Sequence, residues 1–91
     1  MDKLNNKQIQ EKRAAAQQID VTLHVGKGGI NDATVAELDA QLKKKKLVKV
    51  RLLKSATEGG AQDDSQATIL AQSTRSTLIE VRGHTAVFFR A

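Results

Sequence analysis

The sequence predicts an α/β fold with elements in the order helix, strand, helix, strand, helix, strand, strand, built as two layers on a mixed four-stranded sheet. Three observations predict it. Runs that alternate apolar and polar residues near 21–25, 47–53, 77–82 and 85–90 are separated by runs with apolar residues three, four and seven apart, the periods of strand and helix respectively. Strands joined through a helix cross over in parallel, so the first three should point one way. The last two runs are separated only by Gly83-His84, a two-residue turn with glycine first, so the final strand should return antiparallel.

The elements follow from the residues in order. Residues 3–18 are rich in Lys, Gln, Glu and Ala without glycine or proline, which favours a helix within an N-terminal segment of residues 1–20. Leu4, Ile9 and Ala14 to Ala16 give it only a weak apolar stripe, so it should pack late on the rest and fray at its start. Val21, Leu23 and Val25 share one face of the first strand, with Thr22 and His24 on the other. Asn31 and Asp32 are good helix caps, and Val35, Leu38 and Leu42 follow on one face, predicting three to four turns that end at the lysines. Leu47 to Leu53 is the second strand. Its Val48, Val50 and Leu52 face one way, and Lys49 and Arg51 the other.

Residues 57–64 contain Gly59-Gly60 and few apolar groups, predicting a flexible loop. Asp63, Asp64 and Ser65 read as caps, not as paired catalytic acids. Ala67, Leu70, Ala71 and Thr74 then form a face of small residues on a third helix. Phe88 and Phe89 should point to opposite faces, one into the core and the other under a helix or onto a base.

Size and charge narrow the function. The chain of 91 residues reads as one small domain with little room for an enclosed active site, which favours work done on a surface. It has no cysteine, excluding thiolate chemistry and a cysteine zinc site. No apolar run approaches the length of a membrane span, and the polar N-terminus lacks a signal-peptide core. These readings predict a soluble cytoplasmic protein. The net charge is +5, and the excess lies in residues 21–54, where eight basic side chains face three acidic ones. A polyanion is the partner that such a distribution suits.

That basic third begins with Gly26-Lys27-Gly28-Gly29, between the first strand and the second helix. Such a turn offers backbone N–H groups, a positive helix end and a mobile cation to an anion, here a nucleic-acid phosphate. A plain strand-to-helix connection is the competing reading, and Lys27 at the tip of the turn favours the anion site over it. It is not a Walker loop, which needs four residues before Gly-Lys-Ser/Thr. Parallel strands bring Lys27, Lys54, Arg82 and His84 to one sheet edge, the usual ligand side of an open α/β sheet. Lys43, Lys44, Lys45 and Lys46 fall at the other end of the second helix, about 20 Å away. They point around the helix axis, so at most two can touch one partner, and a solvated helix end explains them equally well. His24 and His84 lack a third ligand or a placed nucleophile, so no metal, cofactor or catalytic group is predicted.

The stretch Leu23-His24-Val25-Gly26-Lys27-Gly28-Gly29-Ile30, the helix after it, Leu47-Val48-Lys49-Val50-Arg51-Leu52, and Gly83-His84-Thr85-Ala86-Val87-Phe88-Phe89-Arg90 together resemble the CRM domain. This is the chloroplast RNA splicing and ribosome maturation family, whose single-domain prokaryotic members are YhbY-like. The resemblance spans nearly the whole chain. It implies an RNA-binding domain with a fold like the C-terminal domain of translation initiation factor 3 and a GxxG loop likened to that of KH domains. It also implies association with precursors of the large ribosomal subunit or, as in plant members, with group II introns. The weakly apolar first helix and the acidic Gly59-Gly60 stretch depart from the family pattern.

The expected RNA contacts are therefore Gly26, Lys27, Gly28, Gly29, Ile30, Lys54, Arg82 and His84, with Lys43, Lys46, Lys49 and Arg51 as auxiliary contacts. The expected partner is ribosomal RNA, with the protein a non-enzymatic monomer that takes no small-molecule substrate. A ribosome-associated protein-interaction module is the competing reading, and intron or transfer RNA are the alternative nucleic acids.

Overall fold

The computed structural model describes residues 5–25, 30–52 and 62–90. Helix α1 (Asn6–Ala16) opens with a capping box: the Asn5 side chain accepts from the Gln8 N–H at 2.8 Å while the Gln8 side chain accepts from the Asn5 N–H at 2.9 Å. These reciprocal bonds satisfy two N–H groups that a helix start leaves open. Strand β1 (Leu23–Val25) is shorter than the alternation suggests, although the Thr22 N–H still reaches the Lys49 carbonyl at 3.1 Å. Helix α2 (Asp32–Lys45) is capped by Asn31, whose side chain accepts from the Thr34 N–H at 2.9 Å. Strand β2 is Leu47–Leu52, and helix α3 is Gln62–Thr74. Thus α3 starts within the stretch read as a loop, and Asp63 and Asp64 belong to the helix instead of preceding it. Strands β3 (Thr77–Arg82) and β4 (Thr85–Phe89) complete the chain.

The sheet order is β1-β2-β4-β3, with β1 parallel to β2 and β4 antiparallel to both β2 and β3. The first three strands share a direction, as the crossover rule requires. Between β4 and β3 the register slips: Leu78 faces Phe88 and Glu80 faces Val87, so Ile79 is an extra residue in β3. Such a bulge puts two successive side chains opposite one.

Two apolar clusters lie on opposite faces of the sheet. The larger joins Val25, Val48, Val50, Leu52, Ala86 and Phe88 to Leu38 and Leu42 of α2 and Ala67, Leu70 and Ala71 of α3. The smaller seats Ala16 of α1 on Ile79 and Val87, with Ile9, Leu47 and Phe89 at its margin. The two expected layers are the sheet and the α2–α3 pair; α1 partly covers the second face as a further layer. The two phenylalanines separate accordingly. Phe88 is fully buried in the large cluster, and Phe89 lies under α1 with the Lys12 ammonium 4.3 Å from its ring centre.

Candidate nucleic-acid interface

Strand register builds a row of polar side chains across the whole sheet. His24 pairs with Arg51, Arg51 with Thr85, and Thr85 with Arg82. Cross-strand partners point to the same face. With neighbouring strands roughly 4.8 Å apart, the four residues span about 14 Å. His24, Arg51 and Arg82 are exposed, whereas Val25 and Leu52, their neighbours toward the carboxyl ends, are buried on the other face.

The row lies on the side of α1 but beyond its end. Helix α1 stops at Ala16, whose carbonyl accepts from the Lys49 ammonium at 3.3 Å. That cation balances the negative end of the helix beside the row. A depression of about 130 Å³ between helix and row is lined by Gln17, Lys49, Glu80, Arg82 and Thr85, among others. Glu80 is the carboxylate there, and it is held by Arg13 of α1 at 3.2 Å, with Arg82 at 4.0 Å. The face presented to solvent is therefore basic.

The turn between β3 and β4 lies at the same end of the sheet. Gly83 has φ +58°, as a two-residue hairpin with glycine first requires. The His84 carbonyl accepts from the Leu52 N–H at 2.6 Å, which sets this turn against the end of β2. Of the residues expected to bind RNA, Arg82 and His84 are thus brought together with Arg51, and Lys49 is half-buried beneath α1. Ile30 packs at the margin of the large core, just before the Asn31 cap. Gly26, Lys27, Gly28, Gly29 and Lys54 lie outside the described residues. His24 and Thr85 join the row only through strand pairing, which a single sequence does not reveal.

At the opposite end, where β2 begins and α2 and α3 finish, Lys43 and Lys46 line a shallow cavity of about 490 Å³ with Asp39, Ser73, Thr74, Arg75 and Arg90. Arg90 holds it together. Its guanidinium donates to the Asp39 carboxylate at 2.6 Å, to the Asp39 carbonyl at 3.0 Å and to the Thr74 carbonyl at 2.8 Å. The hydrogen bond from Arg90, with the charges of Arg90 and Lys43, holds the Asp39 carboxyl below its ordinary value against a smaller effect of burial. Among the described residues no group of His, Cys, Asp or Glu could hold a metal ion, and no helix is long and apolar enough to cross a membrane.

A four-stranded sheet in this order, with a basic end and a GxxG sequence after its first strand, can be compared with known proteins. The profile of the CRS1/YhbY (CRM) domain matches residues 4–90. The chain belongs to the CRM domain family. Among its relatives is the probable RNA-binding protein YqeI of Bacillus subtilis (strain 168), 30% identical over 87 residues that cover 96% of this chain and 88% of the relative. The solution structure of the hypothetical protein SAV1595 from Staphylococcus aureus, described as a candidate RNA-binding protein, superposes with a TM-score of 0.84 at 31% identity. That match covers 98% of this CRM domain and 90% of the other chain. It supports the α/β fold with its mixed sheet across almost the full length.

Proposed function

We propose that this CRM domain is a non-enzymatic RNA-binding protein that holds structured ribosomal RNA and assists assembly of the large ribosomal subunit. The observation that carries the RNA reading is the row His24, Arg51, Thr85 and Arg82, which continues a basic surface across all four strands. Its two guanidiniums can each take a phosphate in bidentate geometry, and the row is too open to enclose a small substrate. Lys27 and the N–H groups of Gly28, Gly29 and Ile30 are assigned a phosphate at the adjoining edge, with Lys54 and His84 beside it. Family membership and the RNA-binding descriptions of YqeI and SAV1595 support the same partner. Phosphate contacts of this kind fix position and leave base specificity to other groups. The protein acts as a cytoplasmic monomer in this reading and needs no cofactor.

Crosslinking in cells, followed by sequencing of the bound fragments, tests the choice of RNA. Recovery dominated by large-subunit ribosomal RNA supports assembly, whereas intron or transfer-RNA fragments redirect it. Lys27→Glu tests the loop: it should lower RNA affinity at least tenfold at physiological salt and leave the circular dichroism spectrum unchanged. Equal affinity in that variant removes the loop from the site. A protein partner retained after nuclease treatment, with no RNA recovered, would replace the RNA reading by a protein-docking one.

A further inference from the structure

Two helices end on the same cavity in an unusual way. At the end of α2, Lys46 has φ +70°, and its N–H donates to the Leu42 carbonyl at 2.9 Å. At the end of α3, Arg75 has φ +54°. There the Arg75 N–H reaches the Gln72 carbonyl at 3.3 Å and the Ser76 N–H reaches the Ala71 carbonyl at 2.9 Å. This pair of bonds is the Schellman arrangement, whose left-handed position is ordinarily glycine. Positive φ strains a residue that carries a Cβ. Both helices carry that strain, and both carry it on a basic residue that lines the cavity.

Complementing the helix dipole explains a cation somewhere in each last turn, but it does not require one at the position that favours glycine. Helix α2 already has Lys43, Lys44 and Lys45 in its last turn. The carbonyls that would repel an anion here are partly occupied by the Lys46, Arg75 and Ser76 N–H groups and by Arg90. Asp39, the carboxylate lining the cavity, is bound to Arg90. Among the described residues the side chains of Lys43, Lys46 and Arg75 make no ion pair. Three cations from two helices thus face one open cavity. Backbone strain retained where a simpler residue would relieve it is a mark of a functional position.

We propose that Lys43, Lys46 and Arg75 form a second phosphate-binding site, which takes a separate segment of RNA backbone at the end of the sheet opposite the basic row. The inference rests on the RNA-binding reading and extends it. Five residue steps along β2 separate Lys46 from Arg51, about 17 Å at the rise of a strand, and the two sites lie on different faces. Folded RNA can offer backbone to both.

The test is the double variant Lys46→Gly/Arg75→Gly, compared with the unaltered protein on a long structured transcript at several salt concentrations. Glycine relieves both positive-φ positions, so the thermal midpoint should rise by several degrees. Affinity should fall about tenfold at physiological salt, and the slope of log affinity against log salt should fall by about 1.5. Arg75→Lys, which keeps the charge, should bind like the unaltered protein. Stabilised glycine variants with unchanged affinity and slope would overturn the second site while leaving RNA binding intact. Failure of the unaltered protein to bind the transcript even at low salt would overturn the RNA reading, and this inference with it.

Discussion

Arg90 shows how much one side chain can organise. Standing just after β4, it joins α2 through Asp39 and the end of α3 through the Thr74 carbonyl, while its own N–H donates to the Lys46 carbonyl at 2.9 Å. The resemblance singled out a closing arginine, but its partners are 16 and 51 residues away in sequence and could not be read there. The pH dependence of the Arg90–Asp39 pair follows from the lowered carboxyl of Asp39. A carboxyl below its unfolded value of about 3.9 contributes stability that is present above that value and lost as pH falls through the folded one. Asp39→Asn should therefore lower the urea midpoint at pH 7, and the gap from the unaltered protein should narrow below about pH 4. A gap that stays constant from pH 7 to pH 3 would show that the ion pair contributes nothing.

At the scale of elements, the β3–β4 hairpin was legible because glycine at its first turn position carries its own backbone demand. Gly83 has φ +58°, and a Cβ built there would meet nothing within 4 Å, so the constraint is conformational and not steric. Gly83→Ala should cost about 1 kcal/mol, measured as a shift in urea midpoint. An unchanged midpoint would mean that the turn can adopt another conformation freely. Strand directions were legible for a similar reason, since connection length fixes them. The left-handed ends of α2 and α3 were not, because Lys46 and Arg75 stand where the usual signal is glycine. The face taken by α1 was equally hidden: Ile9 and Ala16 make too narrow a stripe to identify their neighbours, Leu47, Ile79, Val87 and Phe89.

The described residues pack into two cores of unequal size, and mutation should separate them. Phe88, fully buried between the sheet and α2–α3, should cost about 3–5 kcal/mol when truncated to alanine, a large share of the stability of a small domain. Ile9→Ala, at the margin of the small core, should instead speed amide exchange in α1 while leaving sheet amides protected. Equal exchange throughout the chain in that variant would make the two cores one cooperative unit. The candidate site divides in the same way between what a sequence shows and what only pairing shows. Arg82 and His84 could be placed at one end by strand direction, whereas His24, Arg51 and Thr85 meet only because the register aligns them. Arg82 joins them across the bulge in β3. Were β3 to alternate regularly through Ile79, Glu80 and Arg82 would turn toward the large core and Val81 toward solvent; with the bulge, Val81 packs inward. Ile79 also interrupts an outer strand, whose unpaired edge would otherwise offer a straight template to a second molecule. Deleting that residue would regularise β3 without reversing its faces, and the tidier strand would carry a greater tendency to join edge to edge and aggregate.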